Sequence, residues 1–137
     1  MSDFNTKVIE EFRANEGRVG GPFEHMPMVL LTTTGARSGQ PRTSPLAYLA
    51  DGGRLHVFAT AGGSDEHPQW YRNLLADPKV TVELGTERFT ATATPLSGAD
   101  RDRIWDAQVA AVPAFGDYPK KTSRVIPVVA LERDPAS

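Results

Sequence analysis

Between Leu31 and Arg42 the chain reads Leu-Thr-Thr-Thr-Gly-Ala-Arg-Ser-Gly-Gln-Pro-Arg, which gathers two guanidinium groups, several hydroxyls and two glycines in one short stretch. This is the donor set a phosphate needs. Backbone N–H groups freed by glycine turns, the Ser38 hydroxyl and the forks of Arg37 and Arg42 can all converge on one anion. The stretch is not a Walker loop, because the lysine and the longer glycine spacing are absent, and it does not fit a dinucleotide fingerprint. A solvated hairpin loop with ordinary surface arginines is the competing reading of the same residues. Other chemistries are narrowed by composition. There are no cysteines, which removes disulfides, thiolate nucleophiles and Cys-ligated metals. The three histidines, His25, His56 and His67, lack the spacing of a metal site, so no metal is expected. A formal net charge of -2 supplies no global field for polyanions, which argues against nucleic acid as a partner and leaves anion binding to a local cluster.

Such a loop needs strands on either side. Met28-Val29-Leu30-Leu31-Thr32-Thr33-Thr34 is rich in residues that suit a buried pleated surface, and Arg42 to Leu49 resumes a strand in which Pro45 predicts an edge or bulge. Asp51-Gly52-Gly53 then signals a hairpin into Arg54–Thr60, where Leu55, Val57 and Ala59 alternate with the others. His67-Pro68 opens a helix with Trp70, Leu74 and Leu75 on one face, stopped by Asp77-Pro78. Val80, Val82 and Leu84 alternate, Gly85-Thr86 turns, and Phe89 to Thr94 runs back. Ser97 and Asp100 have capping-box spacing ahead of a helix carrying Ile104, Trp105, Gln108 and Val109, and Val125 to Leu131 reads as a last strand. Upstream, Phe4, Val8, Ile9 and Phe12 recur at helical spacing over residues 3–14, followed by Gly17, Gly20, Gly21 and Pro22 as a flexible approach. At 137 residues, without repeats or linkers, this is one domain of mainly β (α+β) class: residues 1–20 form the helix and approach, and the hairpin-linked strands form a closed or split antiparallel barrel.

With those elements placed, Thr32-Thr33-Thr34-Gly35-x-Arg37-Ser38-Gly39-Gln40-Pro41-Arg42, His67-Pro68-x-Trp70-Tyr71-x-Asn73-Leu74 and Thr122-x-Arg124-x-Ile126-Pro127-Val128-Val129 resemble the deazaflavin (F420)-dependent nitroreductase family, from about Pro27 to Leu131. The fold this implies is a six-stranded split β-barrel of the pyridoxamine-phosphate-oxidase-like kind. The resemblance implies that Ala36, Arg37, Ser38 and Arg42 grip the phosphate and acidic tail of coenzyme F420. It implies further that Thr43, Ser44, Pro45, Leu46 and Ala47, then Phe58, Ala59, Thr60 and Ala61, then Gln69, Trp70, Tyr71, Arg72 and Asn73 line the coenzyme, with Trp70 holding the ring.

Departures from the family pattern bear on the acceptor. Ala61 stands where many members carry a lysine, and Thr60 replaces a serine. Ala47, Val112 and Phe115 stand where nitroimidazole-reducing members place tyrosines, which leaves Tyr118. The resulting apolar segment, Ala111 to Tyr118, is expected to act as a lid that brings Phe115 to the coenzyme and suits a hydrophobic acceptor such as a quinone, an enone or a nitroaromatic. Thr60 and Tyr118 are the candidate catalytic donors, able to stabilise charge on the acceptor or supply a proton. Two alternatives stand beside this reading: a flavin mononucleotide (FMN) oxidoreductase on the same barrel, and a non-catalytic carrier of deazaflavin or a lipid-like molecule. A homodimer is expected by analogy with other split barrels. The absence of a signal peptide or an apolar span predicts a cytoplasmic protein, with peripheral membrane contact through residues 3–14 as the lesser alternative.

Overall fold

A computed structural model describes residues 3–20 and 27–135, so Gly21, Pro22 and His25 lie outside it. The elements are α1 (Asp3–Ala14), β1 (Met28–Thr34), β2 (Pro41–Asp51), β3 (Arg54–Phe58), a 3₁₀ turn at Ala61–Gly63, α2 (Gln69–Ala76), β4 (Lys79–Leu84), β5 (Glu87–Pro95), α3 (Gly98–Ala111), a 3₁₀ helix at Pro113–Lys120 and β6 (Val128–Arg133). The strands close into an antiparallel barrel in the order β1-β2-β3-β6-β5-β4. The expected six-stranded antiparallel barrel is therefore the observed fold.

Alternation along each strand divides the apolar residues between two faces. Val29, Leu31, Val57, Val82, Ala91, Val129 and Leu131 fill the interior, and Trp70 and Leu74 of α2 join them. The alternate positions look outward and are covered by helices. Val8, Ile9 and Phe12 of α1 pack on Met28 and Leu30, with Ala47 alongside. Ile104, Trp105 and Phe115 pack on Phe58 and Val128, again with Ala47 at the margin. The apolar face of α1 thus has a partner within the chain. α1 is also tied to β4 by Arg13, whose Nε and Nη2 donate to the two carboxylate oxygens of Glu83 at 3.0 and 2.9 Å. Behind it the chain turns at Gly17, where φ is +95° and an added Cβ would sit 2.7 Å from the Gly85 Cα, so only glycine fits.

The barrel is split on one side of β2. Met28–Thr34 pairs with Pro41–Ala47, whereas β3 pairs only with Tyr48–Asp51. Among the described residues the first half of β2 therefore presents a free edge, and Pro45, which has no N–H to donate, lies within it as its residue type predicts.

Four local expectations are corrected. β6 begins at Val128 rather than Val125, because the Ile126 carbonyl is taken by the Arg101 guanidinium (Nη2 at 2.8 Å, Nε at 3.1 Å) and Pro127 has no N–H; Val125 is 72% exposed. β3 stops at Phe58, short of Thr60, where the chain enters the 3₁₀ turn. Leu75 leaves the face shared by Trp70 and Leu74 and is 56% exposed, because the i, i+4 pair already fills the contact and Asn73 takes the remaining inward position. Ser97 occupies the N-cap of α3 without a side-chain cap hydrogen bond, so the capping box does not form.

Candidate functional site

The Gly35–Gln40 loop is a closed turn with most of its amides already bonded. Gly35 N–H donates to the Gln40 carbonyl (2.8 Å), Gly39 N–H to the Gly35 carbonyl (2.9 Å), and Gln40 N–H to Ser38 Oγ (3.1 Å). Ala36 N–H donates to Asn73 Oδ1 at 3.0 Å. The supply of amides expected at the glycine turns is thereby narrowed to two neighbours, since four of the six have partners inside the protein. The donors left are the N–H groups of Arg37 and Ser38, the Ser38 hydroxyl proton and the guanidinium groups of Arg37 and Arg42; both arginines are exposed and neither guanidinium has a hydrogen bond or ion pair among the described residues. Arg42 lies one register position from the loop, opposite Thr33, so the two cations emerge at the same end of the β1–β2 pair. Unpaired guanidinium groups beside a rigid loop fit the phosphate-bearing part of a coenzyme.

Asn73 makes that loop rigid. It is 1% exposed, and besides Ala36 it accepts from Gln69 Nε2 (2.9 Å) and donates through Nδ2 to Thr33 Oγ1 (3.2 Å). One side chain therefore joins α2, the end of β1 and the loop. Of the neighbours expected to line a coenzyme, Trp70 is a member of the barrel core, Tyr71 is half-buried against His67 (ring centroids 5.0 Å apart), and Gln69 and Arg72 are exposed. A run of five residues on one helix cannot all face one ligand, and the structure divides them in this way.

The same holds for β2. Arg42, Ser44 and Leu46 pair with Thr33, Leu31 and Val29 and share the interior face, while Thr43, Pro45 and Ala47 look outward; Thr43 Oγ1 lies 2.8 Å from Thr32 Oγ1. Beyond β3, Phe58 and Ala59 are buried, whereas Thr60 is half-buried and Ala61 exposed. Phe115, expected at the coenzyme, packs in the outer core: it is 6% exposed, with its ring 5.7 Å from that of Phe58 and 6.2 Å from that of Trp105. The Ala111–Tyr118 segment is anchored on that core as the end of α3 and a 3₁₀ helix, and the latter packs against the Ala61–Gly63 turn. Thr60 and Tyr118 thus belong to adjoining segments, and neither hydroxyl has a protein partner among the described residues.

Residues not singled out as site residues from sequence hold this region together. Arg124 donates to the carbonyls of Ser64 (2.7 Å), Thr60 (2.8 Å) and Ala59 (3.0 Å), and its Nη1 lies 3.0 Å from His67 Nδ1. Thr122 Oγ1 donates to Asp65 at 2.7 Å. The Thr122-x-Arg124 spacing was visible in the sequence, but carbonyl acceptors leave no signature there.

Both described histidines have their pKa lowered by burial. Burial, then the charges of Arg124 and Arg72, push His67 below its ordinary 6.5, and its Nδ1 must accept from a guanidinium. Burial likewise lowers His56, whose Nδ1 donates to the Leu49 carbonyl at 3.1 Å and whose Nε2 is buried without a partner. A group whose folded pKa is depressed binds more protons when unfolded, so its contribution is present above about pH 6.5 and is lost as pH falls. The urea midpoint is expected to drop between pH 7.5 and pH 5.5, and His67→Gln should flatten part of that drop; a midpoint independent of pH over this range would contradict the assignment.

Comparison with known proteins bears directly on this geometry. Residues 5–133 match the family model described as F420H(2)-dependent quinone reductase. An F420H(2)-dependent quinone reductase of Mycobacterium tuberculosis is 40% identical over 126 residues, covering 89% of this chain and 85% of that protein. The solved structure of an F420-H2-dependent reductase (FDR-A) is similar at a TM-score of 0.71 and 41% identity, over 77% of this chain and 94% of that one. A second, described as a domain-swapped dimer, is similar at a TM-score of 0.73 and 38% identity over 93% of both chains. The fold alone is shared with a Listeria innocua protein described as a pyridoxamine 5'-phosphate oxidase, 16% identical at a TM-score of 0.56 over 82% of this chain and 87% of that one.

Proposed function

The chain belongs to the F420H(2)-dependent quinone reductase family, and from that membership we propose that it binds coenzyme F420 along the free edge of β2 and passes a hydride from the reduced coenzyme to a hydrophobic quinone-type acceptor. The observation that carries the reading is the pair of unpartnered guanidinium groups, Arg37 and Arg42, flanking a loop pinned by Asn73. When bound, the deazaflavin supplies the hydride and the redox chemistry. The protein supplies placement. Arg37, Arg42 and the Ser38 hydroxyl hold the phosphate and acidic tail; the unpaired half of β2 and the exposed Ala61 border the ring; and Thr60 and Tyr118 are donors for an acceptor oxygen that gains negative charge.

The acceptor side is apolar. Val112 and Tyr118 pack around Phe115 in the cluster that also reaches Ala47 and Leu49, and this surface favours a flat hydrophobic acceptor over a charged one. Part of the reading is a homodimer, supported by the domain-swapped assembly of the similar solved protein. A cytoplasmic location is also part of it; no helix among the described residues is long and apolar enough to cross a membrane.

Titration of the purified protein with F420 and with FMN, followed by oxidation of the reduced deazaflavin in the presence of quinones, enones and nitroaromatics, tests all of this. Fluorescence quenching by F420 and turnover fastest with quinones are expected. Binding of FMN in preference to F420 would move the chain to flavin chemistry, and F420 binding without turnover of any acceptor would make it a carrier.

A further inference from the structure

The turn that follows β3 has an unfavourable shape, and one guanidinium reaches three of its carbonyls. Ala61 has φ +47°, in the left-handed region that a residue with a Cβ rarely adopts, and Gly63 follows at φ +85°. Within the turn, Gly63 N–H donates to the Thr60 carbonyl (2.9 Å) and Ser64 N–H to the Ala61 carbonyl (3.1 Å). These two bonds leave the carbonyls of Ala59 and Ser64 without partners in the turn and the Thr60 oxygen with a second lone pair. All three are occupied by the Arg124 guanidinium, whose remaining contact is His67 Nδ1, one residue before Pro68 and the start of α2.

This is not an ion pair. No carboxylate among the described residues contacts Arg124; Asp65 acts on it only through space and is itself bonded to Thr122. A planar fork with five N–H groups can span four acceptors on two segments, and a lysine ammonium cannot. The Ala61 N–H, by contrast, has no partner among the described residues, and Ala61 is exposed. An unusual backbone conformation that leaves one exposed amide uncommitted is the sort of feature that persists only when its surroundings enforce it.

We infer that Arg124 is a positioning residue for the coenzyme: by fixing the Ala59–Ser64 carbonyls it holds Ala61 left-handed and keeps the Ala61 N–H available to an acceptor atom of the bound ring. The inference rests on the proposed coenzyme site, but it assigns to a residue outside that site the shape of one of its walls. Arg124 itself need not touch the coenzyme.

The test uses Arg124→Ala and Arg124→Lys with two readouts. Without ligand, hydrogen exchange at the Gly63 and Ser64 amides is expected to quicken in both variants relative to the barrel strands. With ligand, the F420 dissociation constant is expected to rise tenfold or more, and the KM for reduced F420 to rise more than kcat falls. Glycine is at ease in the left-handed region, so Ala61→Gly in the Arg124→Ala background should recover part of the lost affinity. Val82→Ala, in the barrel interior away from the turn, is the control for general destabilisation. An unchanged dissociation constant in both Arg124 variants, or a loss reproduced by Val82→Ala at an equal fall in melting temperature, would overturn the inference. Should Arg124→Ala fail to fold, Arg124→Lys carries the test alone. Should the unaltered protein take up no F420, the proposed function falls, while the exchange measurement still decides whether Arg124 braces the turn.

Discussion

Replacing Arg37 and Arg42 together with alanine is expected to weaken F420 binding about a hundredfold while leaving the urea midpoint unchanged, a separation that follows from what the two side chains do not touch. Both are exposed, and neither has a hydrogen bond or ion pair among the described residues, so their removal breaks nothing that holds the barrel together. A charge-assisted hydrogen bond to a phosphate or carboxylate contributes about 1.5–3 kcal/mol. Solvent screening places these two at the lower end, and a combined loss of about 3 kcal/mol corresponds to roughly two decades in dissociation constant. Fluorescence titration at two salt concentrations checks both parts. The unaltered protein should bind F420 more weakly as salt rises, and the double variant should have lost most of that dependence. Equal affinity before and after substitution would remove the anion from this loop.

Asn73→Ala should do the reverse and strike stability first. The side chain makes three hydrogen bonds from a site that is 1% exposed, and its truncation leaves the Ala36 N–H and the Thr33 hydroxyl without their partner. At about 1 kcal/mol for each bond, with a further desolvation penalty for any buried group left unpaired, the expected loss is about 3 kcal/mol. For a domain of this size that lowers the melting temperature by about 10 °C. F420 affinity should fall as well, because the loop between β1 and β2 loses its tie to α2. Urea denaturation read alongside coenzyme titration separates the two effects. A variant as stable as the parent would mean that the buried amide is dispensable.

The contrast between these two residues shows what could be read along the chain. Arg37 and Arg42 stand out as candidate anion donors on residue type and loop composition alone, and the structure leaves both exposed. Asn73 resembled a helix-surface amide when taken alone, because its burial depends on how far α2 tilts into the end of the barrel. The strands were legible for a physical reason: period-two alternation at Val80 and Val82, and at Leu55 and Val57, is imposed by a filled interior, and the apolar run opening β1 by burial on both its faces. The start of β6 was not, since Val125 and Ile126 are good strand residues and only the distant Arg101 diverts the backbone there. The runs Arg42–Ala47 and Gln69–Asn73 were correctly placed on β2 and α2, but alternation and helical periodicity distribute their side chains over opposite faces, which a resemblance by segment does not resolve. Arg124 was visible as part of a motif, yet its acceptors are backbone oxygens some sixty positions upstream, at Ala59, Thr60 and Ser64.

The strand order has a consequence for biosynthesis. β6 leaves the ribosome after the other five strands, yet it fills the seam between β3 and β5, and the segment leading into it carries Arg124. A nascent chain that already displays Arg37 and Arg42 would still lack the strand that closes the barrel and the Arg124 contacts to the turn after β3. Ribosome-bound chains halted before Thr122 should therefore fail to capture F420, and the ability to do so should appear abruptly once the final strand has emerged and zipped the seam shut.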